Sequence, residues 1–282
     1  MVFGRSTMRL ANKAALLCLG LTWAMAGGAQ MPSCAKPLYL TFDTGHMGVA
    51  PWIAQVLQRQ KLTVTFFVAN EKTIEGDGSL GSTWSAWWSE RALEGHEFAS
   101  HSFDHVYWQA DEASASTDAP TRFKVRPSAG PRAGQRMTWS AAEYCDNLKQ
   151  ATSRIEDLTG RPSLPLFRAP GGKTSARLLA AAKACGYAHV GWAPAGFLGD
   201  ELPSESYSNQ YLLNQAVDKI RPGDVLMAHL GIWSRKDPWA PAVLEPLIVA
   251  LKAKGHCFAS LREHPEYRNW IAQHKRSASW KP

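Results

Sequence analysis

The sequence predicts a single α/β domain, a (β/α) barrel of about seven parallel strands. Three observations carry that reading. Short apolar, β-branched or aromatic runs alternate with longer segments of helical period. Glycines stand where helices should end. Polar residues able to do chemistry recur just past the strands. At 282 residues the chain is long enough for one large domain with a substantial core.

The strand candidates are 38–42, 63–68, 96–100, 164–167, 187–192, 225–228 and 257–261. Helical candidates lie between them near 49–60, 83–94, 139–159, 175–185, 208–220 and 239–254. Gly95, Gly160, Gly186 and Gly255 fall at helix C-termini, each just before the next strand or its lead-in. Such alternation gives a parallel sheet, open or closed. An open sheet gathers ligands only near its switch point, so residues converging from four strands favour closure. Residues 109–138 interrupt the rhythm: rich in Pro, Gly, Ser and Arg, they show no period. A loop of that length either covers a groove or is a surface insertion.

The N-terminus reads as an export signal. Arg5, Arg9 and Lys13 precede the apolar run 14–26, which ends in Ala24-Met25-Ala26. The expected organisation is therefore a signal peptide over 1–26, a catalytic domain over 35–265 and a basic tail over 266–282. No later apolar run reaches the length of a membrane span. The expected location is periplasmic or secreted. The formal net charge of +7 falls to about +4 without the signal, and no basic stripe interleaves with aromatics, so nucleic acid is not the indicated partner. Four cysteines remain after cleavage, Cys34, Cys145, Cys185 and Cys257, and their even number in an exported chain points to disulfides. Cys34 and Cys257 flank the first and last strands, neighbours in a closed barrel. Cys145 and Cys185 fall near opposite ends of consecutive helices, which argues against a second bridge and leaves that pair open.

Asp43 follows the first strand, His101 the third, Arg168 the fourth and His229 the sixth. In His101-Ser102-Phe103-Asp104-His105 two imidazoles stand four apart, a spacing that on a helical turn lets them share a metal ion. Phe167-Arg168-Ala169-Pro170-Gly171-Gly172 brings a fixed cation and an exposed backbone turn to the same rim.

In order and spacing these motifs resemble the polysaccharide deacetylases (carbohydrate esterase family four, the NodB homology domain) from about Leu38 to Leu261. The resemblance implies hydrolysis of N-acetyl groups from an amino-sugar polysaccharide or cell-envelope glycan with a divalent metal, usually Zn2+. It implies Asp43 as general base, His101 and His105 as metal ligands, Arg168 as the residue orienting the base, and His229 as general acid. Gly171 would offer its backbone N–H to the oxyanion, and Trp192 would wall the acetyl pocket. Trp108 and Trp233 flank these segments and either stack on sugar rings or pack at the rim; Lys173 and Arg235 either meet anionic groups or are solvated. Trp84, Trp87 and Trp88, at helical spacing, read as core.

The sequence departs from the family pattern beside the base. Thr44 stands where an acid supplies the third metal ligand, a weak neutral donor in place of a charged one. His46, two residues on, either completes a three-histidine site or lines the pocket. Leu230 replaces the acid after the last histidine, Gly171 replaces an aromatic, and Asp200 is the nearest candidate for the fourth-motif acids. A deformylase or another amide hydrolase of the same superfamily is the alternative reading. A third is an impaired carbohydrate-binding protein, against which the retained acid–base pair speaks.

Overall fold

The computed structural model describes residues 1–4, 34–113 and 120–275. The signal segment lies almost wholly outside them. The elements run β1 (Pro37–Asp43), α1 (Ala50–Gln60), β2 (Thr65–Val68), α2 (Ser85–Leu93), β3 (Glu97–Ser100), β4 (Val106–Asp111), β5 (Arg122–Pro127) and β6 (Met137–Ser140). They continue with α3 (Ala141–Thr159), β7 (Leu166–Phe167), α4 (Ala176–Ala184), β8 (Ala188–His189), α5 (Asn209–Lys219), β9 (Val225–His229), α6 (Leu244–Ala253), β10 (Cys257–Phe258) and α7 (Arg268–Gln273).

Seven strands form one sheet in the order β10-β1-β2-β3-β7-β8, with β9 also on β1, and every pairing in it is parallel. Beyond β8 the chain turns to meet β9: Phe197 bridges Met227 in parallel, and the Ala193 N–H donates to the Val225 carbonyl at 3.1 Å. The sheet thus curls almost back on itself into a distorted barrel, the closed form that residues converging from four strand ends favour and the family resemblance implies. β1 lies at its centre and is buried from Leu38 to Asp43, which a strand covered on both faces requires. Its Phe42 joins Phe66, Phe98 and Trp88 in a core of tilted, stacked and edge-to-face rings. The helices start and stop on local signals. Ser140 and Glu143 close a capping box on α3, and Gly160 ends it in the left-handed region at φ 65°.

Three sequence expectations change. Residues 109–138 are not a structureless loop over the site. With Val106–Tyr107–Trp108 they build a three-stranded antiparallel sheet, β4-β5-β6, of which 114–119 lie outside the described residues. β5 alternates exposed and buried positions, with Phe123, Val125 and Pro127 inward. Cys145 and Cys185 form a disulfide, as Cys34 and Cys257 do. Counting from helix ends misleads because α3 has 19 residues and α4 nine. Two turns beyond Cys145, Thr152 still reaches the Tyr187 hydroxyl at 2.9 Å, so α3 runs on past the end of α4. Finally, the segment read as a tail contains α7, with Ile271 buried and the Trp270 Nε1–H donating to the Pro165 carbonyl at 2.9 Å.

Candidate active site

The parallel ladders bring the chemically competent residues to one rim. Asp43 and His229 are register partners on β1 and β9. The His101 N–H donates to the Val68 carbonyl and the Arg168 N–H to that of Ser100, so both residues sit one step past level strand ends. Asp43, His101, His105 and His229 line a pocket of about 450 Å³ together with Glu71, Tyr107, Gly171, Trp192, Glu201 and Trp233. Arg168 lies beneath them, fully buried.

Asp43 and Arg168 form a buried pair. Arg168 Nη1 donates to Asp43 Oδ1 at 2.6 Å, its Nε to the Val190 carbonyl at 3.2 Å, and its Nη2 to the Gly191 carbonyl at 3.3 Å. The guanidinium also stands over the Phe67 ring, 4.1 Å from its centre. Burial alone would raise the Asp43 pKa; the facing Arg168, His101 and His229 outweigh it and hold the carboxyl below the usual range. Oδ2 remains directed into the pocket, 3.6 Å from His101 Nε2.

His101 and His105 do not share a helical turn. Ser102 and His105 take positive φ values of 56° and 46° and bracket a tight turn closed by the His105 N–H donating to the Ser102 carbonyl at 3.2 Å, with the ring centroids 4.8 Å apart. The turn is held by polar contacts: the Val106 N–H donates to Ser102 Oγ at 2.7 Å, and Asn147 both accepts from the Asp104 N–H and donates to its carboxylate. Each imidazole is also fixed in its orientation. His101 Nδ1 meets the Arg168 carbonyl at 2.9 Å, and a carbonyl can only accept, so Nδ1 carries a proton. His105 Nδ1 meets Ser128 Oγ at 2.6 Å, and Ser128 Oγ also lies 3.2 Å from the His105 carbonyl. With both Nδ1 atoms engaged, both Nε2 atoms face the pocket, the orientation an imidazole ligand requires. Burial pushes the His101 pKa down to about 4, consistent with a neutral ring. Two oriented Nε2 atoms beside carboxylates fit a divalent metal ion.

His229 is set the opposite way. Asp200 Oδ1 accepts from its Nδ1–H at 3.1 Å, and Asp200 Oδ2 accepts from its backbone N–H at 2.6 Å. Burial disfavours the imidazolium, but Asp200, with Asp43 and Glu201 behind it, raises the pKa to about 9. The pocket thus holds an ionised carboxylate and a protonated imidazole on neighbouring strands.

Gly171 sits at φ 67°, and a Cβ there would lie 3.0 Å from the Tyr107 ring. The Tyr107 side chain fills the space beside the residue that replaces the family's aromatic. Trp192 covers Gly172, which has no room for a side chain. Trp233 is exposed on the rim.

Several expected site residues are not brought there. His46 accepts from the Gly48 N–H through Nδ1 at 2.9 Å and packs edge-on against Trp233, facing a separate small cavity. The turn at Gly45 carries its ring away from the two histidines, which corrects the three-histidine expectation. Thr44 reaches the site only through Glu71, to which its hydroxyl donates at 2.8 Å while accepting from the Ala69 N–H. Trp108 turns to Asp111, donating at 3.1 Å, and packs in the core under the inserted sheet. Arg235 is buried and donates to the Leu202 and Tyr207 carbonyls and to Asn209, so it is a structural brace and not a solvated cation; Lys173 is exposed.

Sequence reasoning missed Glu71, Ser128 and Tyr107. Glu71 had a signal: it is the first acid past the second strand, the one strand end in that half of the barrel left without a chemical assignment. Ser128 and Tyr107 lay in or beside the segment read as loop.

Comparison with known proteins bears on the family and the fold. The sequence profile described as polysaccharide deacetylase matches residues 30–190. A chitooligosaccharide deacetylase from Azorhizobium caulinodans is 25% identical over 245 residues, covering 83% of this chain and 96% of that protein. The peptidoglycan-N-acetylmuramic acid deacetylase PdaA of Bacillus subtilis is 26% identical over 227 residues, 80% of this chain and 70% of that protein. Among solved structures, a family 4 acetyl xylan esterase from Clostridium thermocellum in complex with a cobalt ion superposes with a TM-score of 0.60 at 18% identity, over 88% of this chain and all of that one.

Proposed function

The chain belongs to the polysaccharide deacetylase family, a hydrolase of carbon–nitrogen amide bonds, and we propose that it removes N-acetyl groups from an amino-sugar glycan of the cell envelope with the help of a divalent metal. One observation carries the reading: a carboxylate oriented by Arg168 stands on the strand next to a histidine held protonated by Asp200, in a pocket floored by two imidazole nitrogens. A binding protein has no use for an acid–base pair set apart in this way.

The metal would be held by His101 and His105 through Nε2. When bound, such an ion polarises an amide carbonyl and acidifies water, and Zn2+ suits the nitrogen donors. The chain's own groups do the rest. Asp43 Oδ2, its partner oxygen pinned by Arg168, takes a proton from the attacking water as the new carbon–oxygen bond forms. The Gly171 N–H, on a turn that only glycine adopts without strain, donates to the developing oxyanion. His229 then gives its Nε2 proton to the departing nitrogen as the carbon–nitrogen bond breaks, leaving acetate and a free amine. Trp192 and Trp233 offer flat apolar faces to sugar rings at the pocket edge.

Two disulfides support work in an oxidising compartment, in keeping with the export signal read at the N-terminus. Among the described residues no helix is long and apolar enough to cross a membrane. The test is acetate and formate release from a panel of N-acetyl and N-formyl amino-sugar oligomers, before and after chelation. Acetate release abolished by chelator and restored by Zn2+ is expected. Formate without acetate would point to a deformylase, and turnover indifferent to chelation would remove the metal from the mechanism.

A further inference from the structure

We propose that Glu71 is the carboxylate ligand of the metal site, taking from the end of β2 the role that the family's first motif gives to the position of Thr44. The proposal rests on the metal-dependent reading above.

Two imidazole nitrogens and two carboxylate oxygens converge at the base of the pocket. His105 Nε2 lies 3.8 Å from Glu71 Oε1, and His101 Nε2 lies 3.6 Å from Asp43 Oδ2. The Nδ1 atoms of both rings are engaged elsewhere, with the Arg168 carbonyl and with Ser128 Oγ, which turns both Nε2 atoms to the pocket. Both Nε2–oxygen separations are too long for a hydrogen bond and close to the spacing of two ligands on one ion. Two ligands each about 2.0–2.1 Å from one tetrahedral zinc stand roughly 3.3–3.4 Å apart. Among the described residues no three such side chains are already preformed at ligand spacing, and the 3.8 Å gap at Glu71 closes with a few tenths of an ångström of side-chain movement.

Glu71 is placed for this, and Thr44 is what places it. The Thr44 hydroxyl accepts from the Ala69 N–H at 3.1 Å, which leaves its hydrogen for Glu71 Oε2 at 2.8 Å. One carboxylate oxygen is thereby tied back and the other turned toward His105. The backbone of Glu71 is held as well: its N–H donates to Ser79 Oγ at 3.1 Å, and its carbonyl accepts from the Ser79 N–H at 2.7 Å. A threonine at this position is then a support for the ligand, and the site regains the negative charge that the first motif lacks.

The test uses the full mature chain, stripped of metal, and reads metal binding rather than turnover. Zn2+ titration by calorimetry and the visible spectrum of the Co2+ form are compared for wild type, Glu71→Gln, His105→Gln, and the double variant Thr44→Asp/Glu71→Gln, with thermal melts confirming folding. Expected are one tight site in wild type, a loss of at least tenfold in Zn2+ affinity and an altered Co2+ spectrum in Glu71→Gln, comparable to His105→Gln, and recovery in the double variant, where the carboxylate returns to the first motif. A Glu71→Gln protein with wild-type affinity and spectrum, while His105→Gln is impaired, would overturn the role of Glu71 and leave the metal reading standing. Wild type that binds neither ion would overturn both.

Discussion

Asp200→Asn isolates the charge that keeps His229 protonated. The substitution is isosteric, and the amide oxygen can still accept from the His229 backbone N–H, so what is lost is the negative charge beside Nδ1. His229 stands at about 9 against an ordinary 6.5, roughly 3 kcal/mol in favour of the imidazolium. Asp200 heads the groups that raise it, ahead of Asp43 and Glu201, and burial pulls the other way. Without Asp200 the value should fall most of the way to the ordinary imidazole range. At about pH 8 the protonated fraction then drops from roughly nine-tenths to a few per cent, about a thirtyfold loss of kcat/KM, with little change near pH 6. The assay is acetate release from an N-acetyl oligosaccharide across the pH range, fitted for the basic limb. A basic limb unmoved from that of wild type, or a loss uniform with pH, would refute His229 as the acid held by Asp200. Stability gives an independent reading. A folded-state pKa raised above the unfolded value contributes stability that is complete below about 6.5 and lost as pH rises through about 9. Wild type should therefore lose its advantage over the variant across that window in denaturant titrations.

Arg168→Met leaves Asp43 buried without its partner and should cost about 3–5 kcal/mol of stability, with activity lost; urea titration and acetate release check both. Gly171→Ala forces a Cβ to within 3.0 Å of the Tyr107 ring at a left-handed φ and should destabilise by about 1–2 kcal/mol, with a fall in kcat larger than any change in KM. Replacing Cys145 and Cys185 together by serine opens a link between residues 40 apart in sequence, for which chain entropy gives an upper figure of about 4 kcal/mol; thermal unfolding measures it, and the acid–base site should keep its pH profile.

The barrel was legible in the sequence because its strands are buried on both faces and its helices are long, so each element announces its period. The seven parallel strands of the sheet and the six long helices coincide with the predicted segments. The inserted sheet escaped because its composition, rich in Pro, Gly and Arg, hides a period of two. Arg122-Phe123-Lys124-Val125-Arg126-Pro127 alternates strictly, but flanked by turn residues it reads as loop. The site divides along similar lines. Asp43, His101, Arg168 and His229 were legible because strand ends are fixed points in a parallel sheet. Glu71 and Ser128 were not, since their places depend on where loops return after leaving the sheet. Asp200 stood between, suspected from the motif but 29 residues from His229 in sequence, with only the fold to join them. The helical-turn reading of His101 and His105 failed on backbone detail: a four-residue spacing brings side chains together around a single tight turn as well as in a helix.

The register of β1 against β9 has a consequence for how this catalyst can change. Asp43 and His229 face each other across a single step of the hydrogen-bond ladder, so their separation is inherited from the spacing of parallel strands, about 4.8 Å. A slip of one residue would turn one of them to the opposite face of the sheet. The proposed proton donor and proton acceptor are in this sense one rigid part, indifferent to what the loops above them do. New substrates can be tried by redrawing the rim, in the inserted sheet or around Trp233, while the distance that the chemistry depends on stays locked.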